Sequence, residues 1–277
     1  MPKLAANLSM MFTENAFLER FEAAAAAGFT AVEYLFPYDF APAEVAAALK
    51  SQNLTQALFN LPPGDWEAGE RGIACLPGRE ADFRASIHEA LVYAKALGCE
   101  RLHMMAGLVP AGASAEQVEQ TYIDNLIEAA GELEQAGCAL LIEPINPIDM
   151  PGYFLQTAAQ ARGLIDKARS RSGKPLANVA IQLDLYHRQM LEGRVADAID
   201  EFIAQSAHVQ IAGVPGRHEP DRDGEVNWEW VLKRLDDAGF DGYVGCEYRP
   251  AGRTEDGLRW AAPWLGHAGL PVEEKRA

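Results

Sequence analysis

Cysteine is scarce in this chain of 277 residues, and no two cysteines have Cys-x-x-Cys spacing. A zinc ribbon or a thioredoxin-like redox site would need such a pair. Three of the four cysteines lie in or beside apolar stretches, so we expect buried free thiols in a reducing cytosol rather than disulfides. They are Cys75, Cys99, Cys138 and Cys246.

Basic residues are also few: 24 Lys and Arg stand against 40 Asp and Glu, a formal net charge of −16. An acidic surface repels phosphate backbones and anionic lipid, so we expect neither nucleic acid nor a membrane as a partner. A small anionic substrate is still compatible, because a metal ion and one arginine can reverse the field inside a pocket.

Long apolar runs and several catalytic motifs are missing. The amino terminus reads MPKLAANLSMMF, which is too polar for a signal peptide, and no segment reaches membrane-spanning length. We therefore expect a soluble cytoplasmic protein. No lysine ends a predicted strand, which leaves Schiff-base chemistry without a candidate, and there is no Gly-x-Ser-x-Gly or Gly-x-Gly-x-x-Gly motif.

Apolar runs of strand length alternate with helical patterns eight times along the chain. Such strands, buried on both faces, indicate a parallel sheet, and eight of them indicate a single closed (β/α)₈ TIM barrel of the α/β class over residues 1–277. A doubly wound open sheet is the alternative. The predicted strands cover residues 4–11, 31–36, 55–60, 101–106, 139–143, 179–184, 208–212 and 243–247.

Helix boundaries follow from capping residues. Thr13 is placed to cap an alanine-rich first helix that ends at Gly28, and Ser114 with Gln117 forms a capping box. Thr254 opens a final helix, which is followed by a short C-terminal tail. The long connection over residues 61–78 is rich in glycine and proline, and we expect it to act as a lid.

A carboxylate ends an apolar strand at Glu143, which Pro144 follows at once. The same pattern returns at Asp184, Gln210 and Glu247, each at or near the end of a later strand. In a barrel these strand ends share one face, so three carboxylates and an amide would converge on one point and need a cation between them. The alternative is that each residue separately caps a helix or pairs with an arginine.

This predicted donor set contains oxygen and no soft ligand, which suits Mg²⁺, with Mn²⁺ as the alternative. Glu143 and Glu247, on opposite sides of the ion, can also take and return protons on a bound hydroxy-carbonyl compound. The ion would polarise the carbonyl and hydroxyl oxygens and so favour an enediolate intermediate. We therefore predict Glu143, Asp184, Gln210 and Glu247 as metal ligands and the two glutamates as catalytic residues.

Three further residues are candidates for substrate contact. His187 follows Asp184 closely and could face the substrate, or it could be a helix-start histidine in solvent. Arg217 could hold a substrate carboxylate through two parallel hydrogen bonds, or it could pair at the surface with Glu219 or Asp221. His103 could contact substrate or be a buried core residue.

Several longer motifs resemble the hydroxypyruvate isomerase family, which belongs to the wider group of xylose-isomerase-like barrels. The resemblance implies a divalent metal held at Glu143, Asp184, Gln210 and Glu247, with the two glutamates as the proton-transfer pair. It also implies interconversion of hydroxypyruvate with tartronate semialdehyde, or of 2-oxo-tetronate with its 3-oxo isomer. The motifs are Asn7–Phe12, Val32–Tyr38, Phe59–Trp66, Leu141–Asn146, Gln182–His187 and His208–Pro220.

Other functions stay open at this point. A ketose 3-epimerase acting on a neutral sugar is the main alternative, although the related epimerases usually carry His where this chain has Gln210. An endonuclease-IV-like repair protein would need a histidine-rich, multi-zinc site and a basic face, and this sequence offers neither. A non-catalytic sugar-acid binding protein is the remaining alternative, and a homo-oligomer is compatible with each of them.

Overall fold

A closed barrel of eight parallel strands, paired in chain order, forms the centre of the molecule. The computed structural model describes residues 1–265. The predicted (β/α)₈ barrel is confirmed, and the doubly wound open sheet is wrong because β8 pairs with β1 and closes the ring. The strands are β1 Lys3–Asn7, β2 Ala31–Glu33, β3 Thr55–Asn60, β4 Arg101–His103, β5 Ala139–Ile142, β6 Val179–Asp184, β7 Ser206–Ile211 and β8 Tyr243–Cys246.

Helices surround the barrel and bury one face each against the strands. Between strands they are α1 Arg20–Ala26, α2 Pro42–Ser51, α3 Glu80–Leu97, α4 Ala115–Gln135, α5 Ala158–Ser172, α6 Leu185–Leu191, α7 Val195–Phe202 and α8 Trp228–Asp237. Short 3-10 helices cover Phe17–Glu19, Ile203–Gln205 and Thr254–Ala261. Within residues 1–265, none of these helices is both long enough and apolar enough to cross a membrane.

The first strand and helix differ from the prediction. The strand ends at Asn7, whose carbonyl accepts hydrogen bonds from the amides of Met10 and Met11, and Phe12 then adopts a positive φ of 57°. The apolar run that resembles a strand continuation is therefore a buried turn. Thr13 does not cap the first helix, because α1 begins only at Arg20.

Two other predicted strand ends are wrong. The strands β2 and β4 stop at Glu33 and His103, three residues earlier than predicted. The final helix does open at Thr254, but it is a 3-10 helix rather than an α-helix. The predicted C-terminal tail, from residue 266 onward, lies outside the described residues.

Side-chain caps fix the starts of several helices. Ser114 Oγ accepts from the Gln117 amide at 3.2 Å and completes the predicted capping box, and Asn227 caps α8. Such a cap contributes about 1 kcal/mol by satisfying an amide that the helix leaves unpaired. Because each of these helices follows a strand, its amino-terminal cap lies on the face where the strands end.

The predicted lid, residues 61–78, is partly fixed to the barrel. Residues 72–75 of this loop are buried, and the Cys75 amide donates to the Ala106 carbonyl at 2.8 Å. A Cβ at Gly72 would lie 2.4 Å from the Met105 carbonyl oxygen, so only glycine permits this close approach. The first half is more exposed, with the Trp66 ring against Phe36 at 5.1 Å. Closure of this loop over the substrate stays a prediction.

The thiols behave as predicted. All four cysteines are free and buried. Burial raises the pKa of the Cys75 and Cys99 thiols to about 12. Neutral thiols of this kind pack as small apolar side chains and are poor nucleophiles.

Candidate active site

Three predicted carboxylates meet where the strands of the second half of the barrel end. Glu143 directly follows β5, Asp184 is the last residue of β6, and Glu247 directly follows β8. Together with His187 from α6 they form a buried group whose ligand atoms all lie within 4.8 Å of one another. The convergence inferred from the strand ends is therefore present in the folded chain.

Local backbone structure explains how Asp184 is presented. Its Oδ1 accepts from the amides of Tyr186 and His187 at 2.6 and 3.1 Å and so caps α6. This cap fixes the side chain and leaves Oδ2 directed at the cluster, 3.7 Å from His187 Nε2. Asp184 thus caps α6 with one carboxylate oxygen and presents the other to the acidic cluster.

The protein environment raises the pKa of each of the three acids and so disfavours its ionised form. Burial, followed by the charges of Glu247 and Asp184, raises the pKa of Glu143 well above its ordinary value. Burial raises the pKa of Glu247 to about 7, although the Arg217 charge lowers it in part. The pKa of Asp184 is also raised, mainly by burial. Carboxylates in this state gain most from a positive charge placed among them.

The donor set fits a divalent cation. Glu143 Oε1 is buried and has no hydrogen-bond partner, although an unpaired buried carboxylate oxygen is costly. It lies 3.6 Å from His187 Nε2, inside the cluster. Carboxylate oxygens are the preferred ligands of Mg²⁺ and Mn²⁺, so the residues present could hold either ion.

Gln210 lies beside this cluster with both ends of its carboxamide in use. Its Oε1 accepts from Gln182 Nε2 at 2.5 Å, and its Nε2 donates to Glu33 Oε1 at 2.8 Å. Gln182 Nε2 also donates to Glu143 Oε2 at 3.0 Å. Gln210 is therefore one hydrogen-bonded residue away from Glu143, and its role as a metal ligand stays a prediction.

His187 is buried, so the alternative of a solvent-exposed histidine is wrong. The Asn146 amide nitrogen lies 2.6 Å from Nδ1, and because that nitrogen can only donate, Nδ1 accepts. Burial and then the Arg217 charge lower the pKa of His187 well below its usual value. The neutral ring consequently carries its proton on Nε2, which faces Glu143 and Asp184.

His103 is a buried core residue beside Glu143, and its contact with substrate stays a prediction. The ring is buried, with Nδ1 at 3.1 Å from Asn60 Oδ1 and 3.6 Å from Glu143 Oε2. Burial, with a contribution from the His208 charge, lowers its pKa to about 3. It is a neutral core residue that also forms one wall of the site beside Glu143.

Arg217 belongs to the site, so the alternative of a surface pairing with Glu219 or Asp221 is wrong. Its Nη2 donates to Glu247 Oε2 at 2.6 Å, and its Nη1 lies 3.6 Å from Asp149 Oδ2. The guanidinium carbon lies 4.8 Å from the centre of the Tyr186 ring. Burial alone would lower the pKa of Arg217, but Glu247 and Asp184 raise it, so the side chain carries a fixed positive charge.

Four polar residues around the site were not predicted from the sequence. Glu33 ends β2 in the structure but lies inside the apolar run of residues 31–36 in the sequence, so a search for acids at the ends of apolar runs does not find it. Asn60 does end a predicted strand, as Gln210 nearly does, and the same criterion would have found it. Gln182 is two residues before Asp184 on β6, and alternation places both on the inner face of the barrel. The four are Glu33, Asn60, Asn146 and Gln182.

Comparisons with known proteins agree with this geometry. A family model described as a xylose isomerase-like TIM barrel matches residues 21–265. The chain is 52% identical over 266 residues to a 2-oxo-tetronate isomerase of Cupriavidus necator, covering 96% of this chain and 100% of that protein. It is 45% identical over 264 residues to a hydroxypyruvate isomerase of Escherichia coli, covering 95% and 100%.

A crystal structure from Brucella melitensis, described as an AP endonuclease of family 2, matches with a TM-score of 0.91 and 50% identity, covering 95% of this chain and 99% of that one. The predicted family resemblance is confirmed by the isomerases, and so is the prediction of an isomerase at the level of the family. The chain belongs to the xylose isomerase-like TIM barrel family, and within it to the hydroxypyruvate and 2-oxo-tetronate isomerases.

Proposed function

We propose that this protein is a metal-dependent isomerase of a short hydroxy-oxo acid, converting hydroxypyruvate to tartronate semialdehyde or 2-oxo-tetronate to 3-oxo-tetronate. The observation that carries the proposal is the buried cluster of Glu143, Asp184, His187 and Glu247, with one oxygen of Glu143 unpaired. The relatives named above act on substrates of this class.

The proposed metal ligands are Glu143, Asp184, Gln210 and Glu247. A divalent ion bound there, Mg²⁺ in preference to Mn²⁺, would supply Lewis-acid polarisation of the substrate's carbonyl and hydroxyl oxygens. His187 has its Nε2 proton among the same acids and is placed to donate a hydrogen bond to one of those oxygens.

The two glutamates carry the proton transfer in this proposal. One removes the proton from the hydroxyl-bearing carbon of hydroxypyruvate, and the other delivers a proton to the former carbonyl carbon of the enediolate. The C3–H bond and the O–H bond at C3 break, a C2–H bond and an O–H bond at C2 form, and the carbonyl moves from C2 to C3. The pKa of about 7 suits Glu247 for this role, because a carboxylate near its pKa at neutral pH both accepts and returns protons, and the pKa of Glu143 is also raised.

Arg217 is proposed to bind the substrate carboxylate. Its fixed charge lies beside Glu247, so a carboxylate bound there brings the adjacent carbons toward the catalytic glutamates. His103 is proposed to border the substrate next to Glu143.

The test is proton NMR of the metal-loaded protein with hydroxypyruvate in D₂O, beside an EDTA-treated sample. Metal-dependent product with deuterium bound to carbon is expected. The variant Glu143→Gln, which keeps the side-chain shape, is the matched control and should give neither. If the folded, metal-binding protein gives no exchange and no product with either oxo acid, but epimerises neutral ketoses, the ketose 3-epimerase alternative replaces this proposal.

The endonuclease alternative has no support in the site. Within the described residues, the clustered potential metal ligands include a single histidine and three acids. Turnover of an oxo acid would also remove the alternative of a non-catalytic binding protein.

A further inference from the structure

Glu33, the last residue of β2, is a buried carboxylate outside the acidic cluster. Its oxygens receive three side-chain donors. Asn7 Nδ2 and Gln210 Nε2 donate to Oε1 at 3.0 and 2.8 Å, and His208 Nε2 lies 2.6 Å from Oε2. Three donors of this kind compensate the loss of water around a buried charge.

The barrel interior leaves room for this carboxylate. A Cβ added at Gly245 on β8 would lie 2.3 Å from Glu33 Oε2, so a larger residue there would displace the Glu33 carboxylate. Gly245 pairs with Gln210 on one side and with Ala5 on the other, which keeps the neighbourhood of Glu33 free of large side chains. The small residues around Glu33 therefore leave space for its carboxylate.

Glu33 Oε1 accepts hydrogen bonds from both Asn7 and Gln210, so it bonds the nitrogen end of the Gln210 carboxamide and not its oxygen. The oxygen end of Gln210 is thereby turned to the opposite side, toward Gln182. Gln182 in turn meets two acceptors, Gln210 Oε1 and Glu143 Oε2, and must offer its nitrogen to both. Glu33 therefore fixes which group donates and which accepts in the series of hydrogen bonds that runs through Gln210 and Gln182 to Glu143.

We propose that Glu33 is a positioning residue, which orients Gln210 and Gln182 so that the Gln210 oxygen and the Gln182 nitrogen point to the Glu143 side of the barrel. The inference rests on the proposed metal site, where an amide contributes through its oxygen. Residues that hold metal ligands in place commonly contribute 10- to 100-fold to metal affinity.

The experiment is a titration of the metal-free protein with Mn²⁺, followed by electron paramagnetic resonance, so that it needs no substrate. Glu33→Met removes the acceptor, keeps the side-chain length, and is expected to raise the Kd for Mn²⁺ at least tenfold. Glu33→Gln keeps an oxygen for Gln210 and can donate to His208, whose second nitrogen has no partner. It should bind within about threefold of the unaltered protein if orientation rather than charge is what Glu33 supplies.

A second pair of variants guards against loss of folding. Gln182→Met interrupts the series of hydrogen bonds between Glu33 and Glu143 and should also raise the Kd for Mn²⁺ about tenfold. Gln56→Met makes the same replacement at a buried β3 position outside these hydrogen bonds and should not change the Kd. The inference is overturned if Gln182→Met and Glu33→Met both bind Mn²⁺ normally, or if Glu33→Gln is as weak as Glu33→Met. If the unaltered protein binds no divalent ion, the proposed metal-dependent function fails first, and the inference fails with it.

Discussion

The two halves of the barrel hold their buried carboxylates differently. In the second half, Glu143, Asp184 and Glu247 are crowded together, and one oxygen of Glu143 has no partner. In the first half, Glu33 has a donor for each oxygen from Asn7, Gln210 and His208. Burial by itself therefore does not distinguish the two kinds of acid. We propose that Glu33, whose oxygens have hydrogen-bond donors, acts as an anchor, whereas Glu143, with one unpaired oxygen among like charges, is available to a ligand.

The largest effect should come from the two glutamates of the crowded acidic cluster. Glu143→Gln and Glu247→Gln each remove a proton-transfer group with little change of shape, so we expect kcat to fall by about 10³-fold or more. The folded state, followed by circular dichroism, should be retained. A rate close to that of the unaltered enzyme in either variant would show that the assigned glutamate does not transfer a proton.

Arg217 should have the next largest effect. Arg217→Ala removes the charge proposed to bind the substrate carboxylate, and we expect kcat/KM for hydroxypyruvate to fall about 100-fold, mainly through KM. The matched control is Arg222→Ala, an 80% exposed arginine paired with Glu229, which should leave the kinetics unchanged. Normal kcat/KM in Arg217→Ala would favour a neutral substrate instead.

The crowded acids also predict how stability depends on pH. Because the pKa of Glu247 is raised from 4.5 to about 7 in the folded state, the folded protein binds more protons than the unfolded chain between these values. The free energy of unfolding of the metal-free protein should therefore fall as the pH rises through this window, lowering the Tm by on the order of 5 °C.

Thermal unfolding in EDTA from pH 4.5 to 8 measures this dependence. Added Mg²⁺ should suppress the fall, because the cation replaces the protons among the acids. Glu247→Gln, which removes one titrating group, should flatten it in EDTA. A metal-free Tm that rises across the same range would contradict the raised pKa values.

A polar residue at the other end of the barrel should affect stability alone. Asn178 precedes β6 and donates from Nδ2 to the carbonyls of Ala130 and Cys138 at 2.9 and 3.2 Å. Asn178→Ala should lower the free energy of unfolding by about 1–2 kcal/mol in urea titrations. Its kcat should stay within about twofold of the unaltered enzyme, since the amino ends of barrel strands contribute to stability. A larger loss of kcat would show that the two ends are not independent.

The sequence was sufficient for the barrel and for the convergence of Glu143, Asp184 and Glu247, because apolar strand periodicity and strand-end acids are local signals. It did not reveal the turn after Asn7, since an apolar run has the same composition in a strand and in a buried turn. The sequence also did not reveal the partners of Arg217. Nearby Glu219 and Asp221 offered a local pair as the alternative to substrate binding, whereas Glu247 is brought to the arginine only when the barrel closes.

The most direct measurement is anomalous diffraction from crystals of this protein grown with Mn²⁺. We predict one strong peak at the ends of β5 to β8, in contact with Glu143, Asp184, Glu247 and the side-chain oxygen of Gln210. A peak at another place in the molecule, or an acidic cluster without Mn²⁺ at saturating concentration, would contradict it.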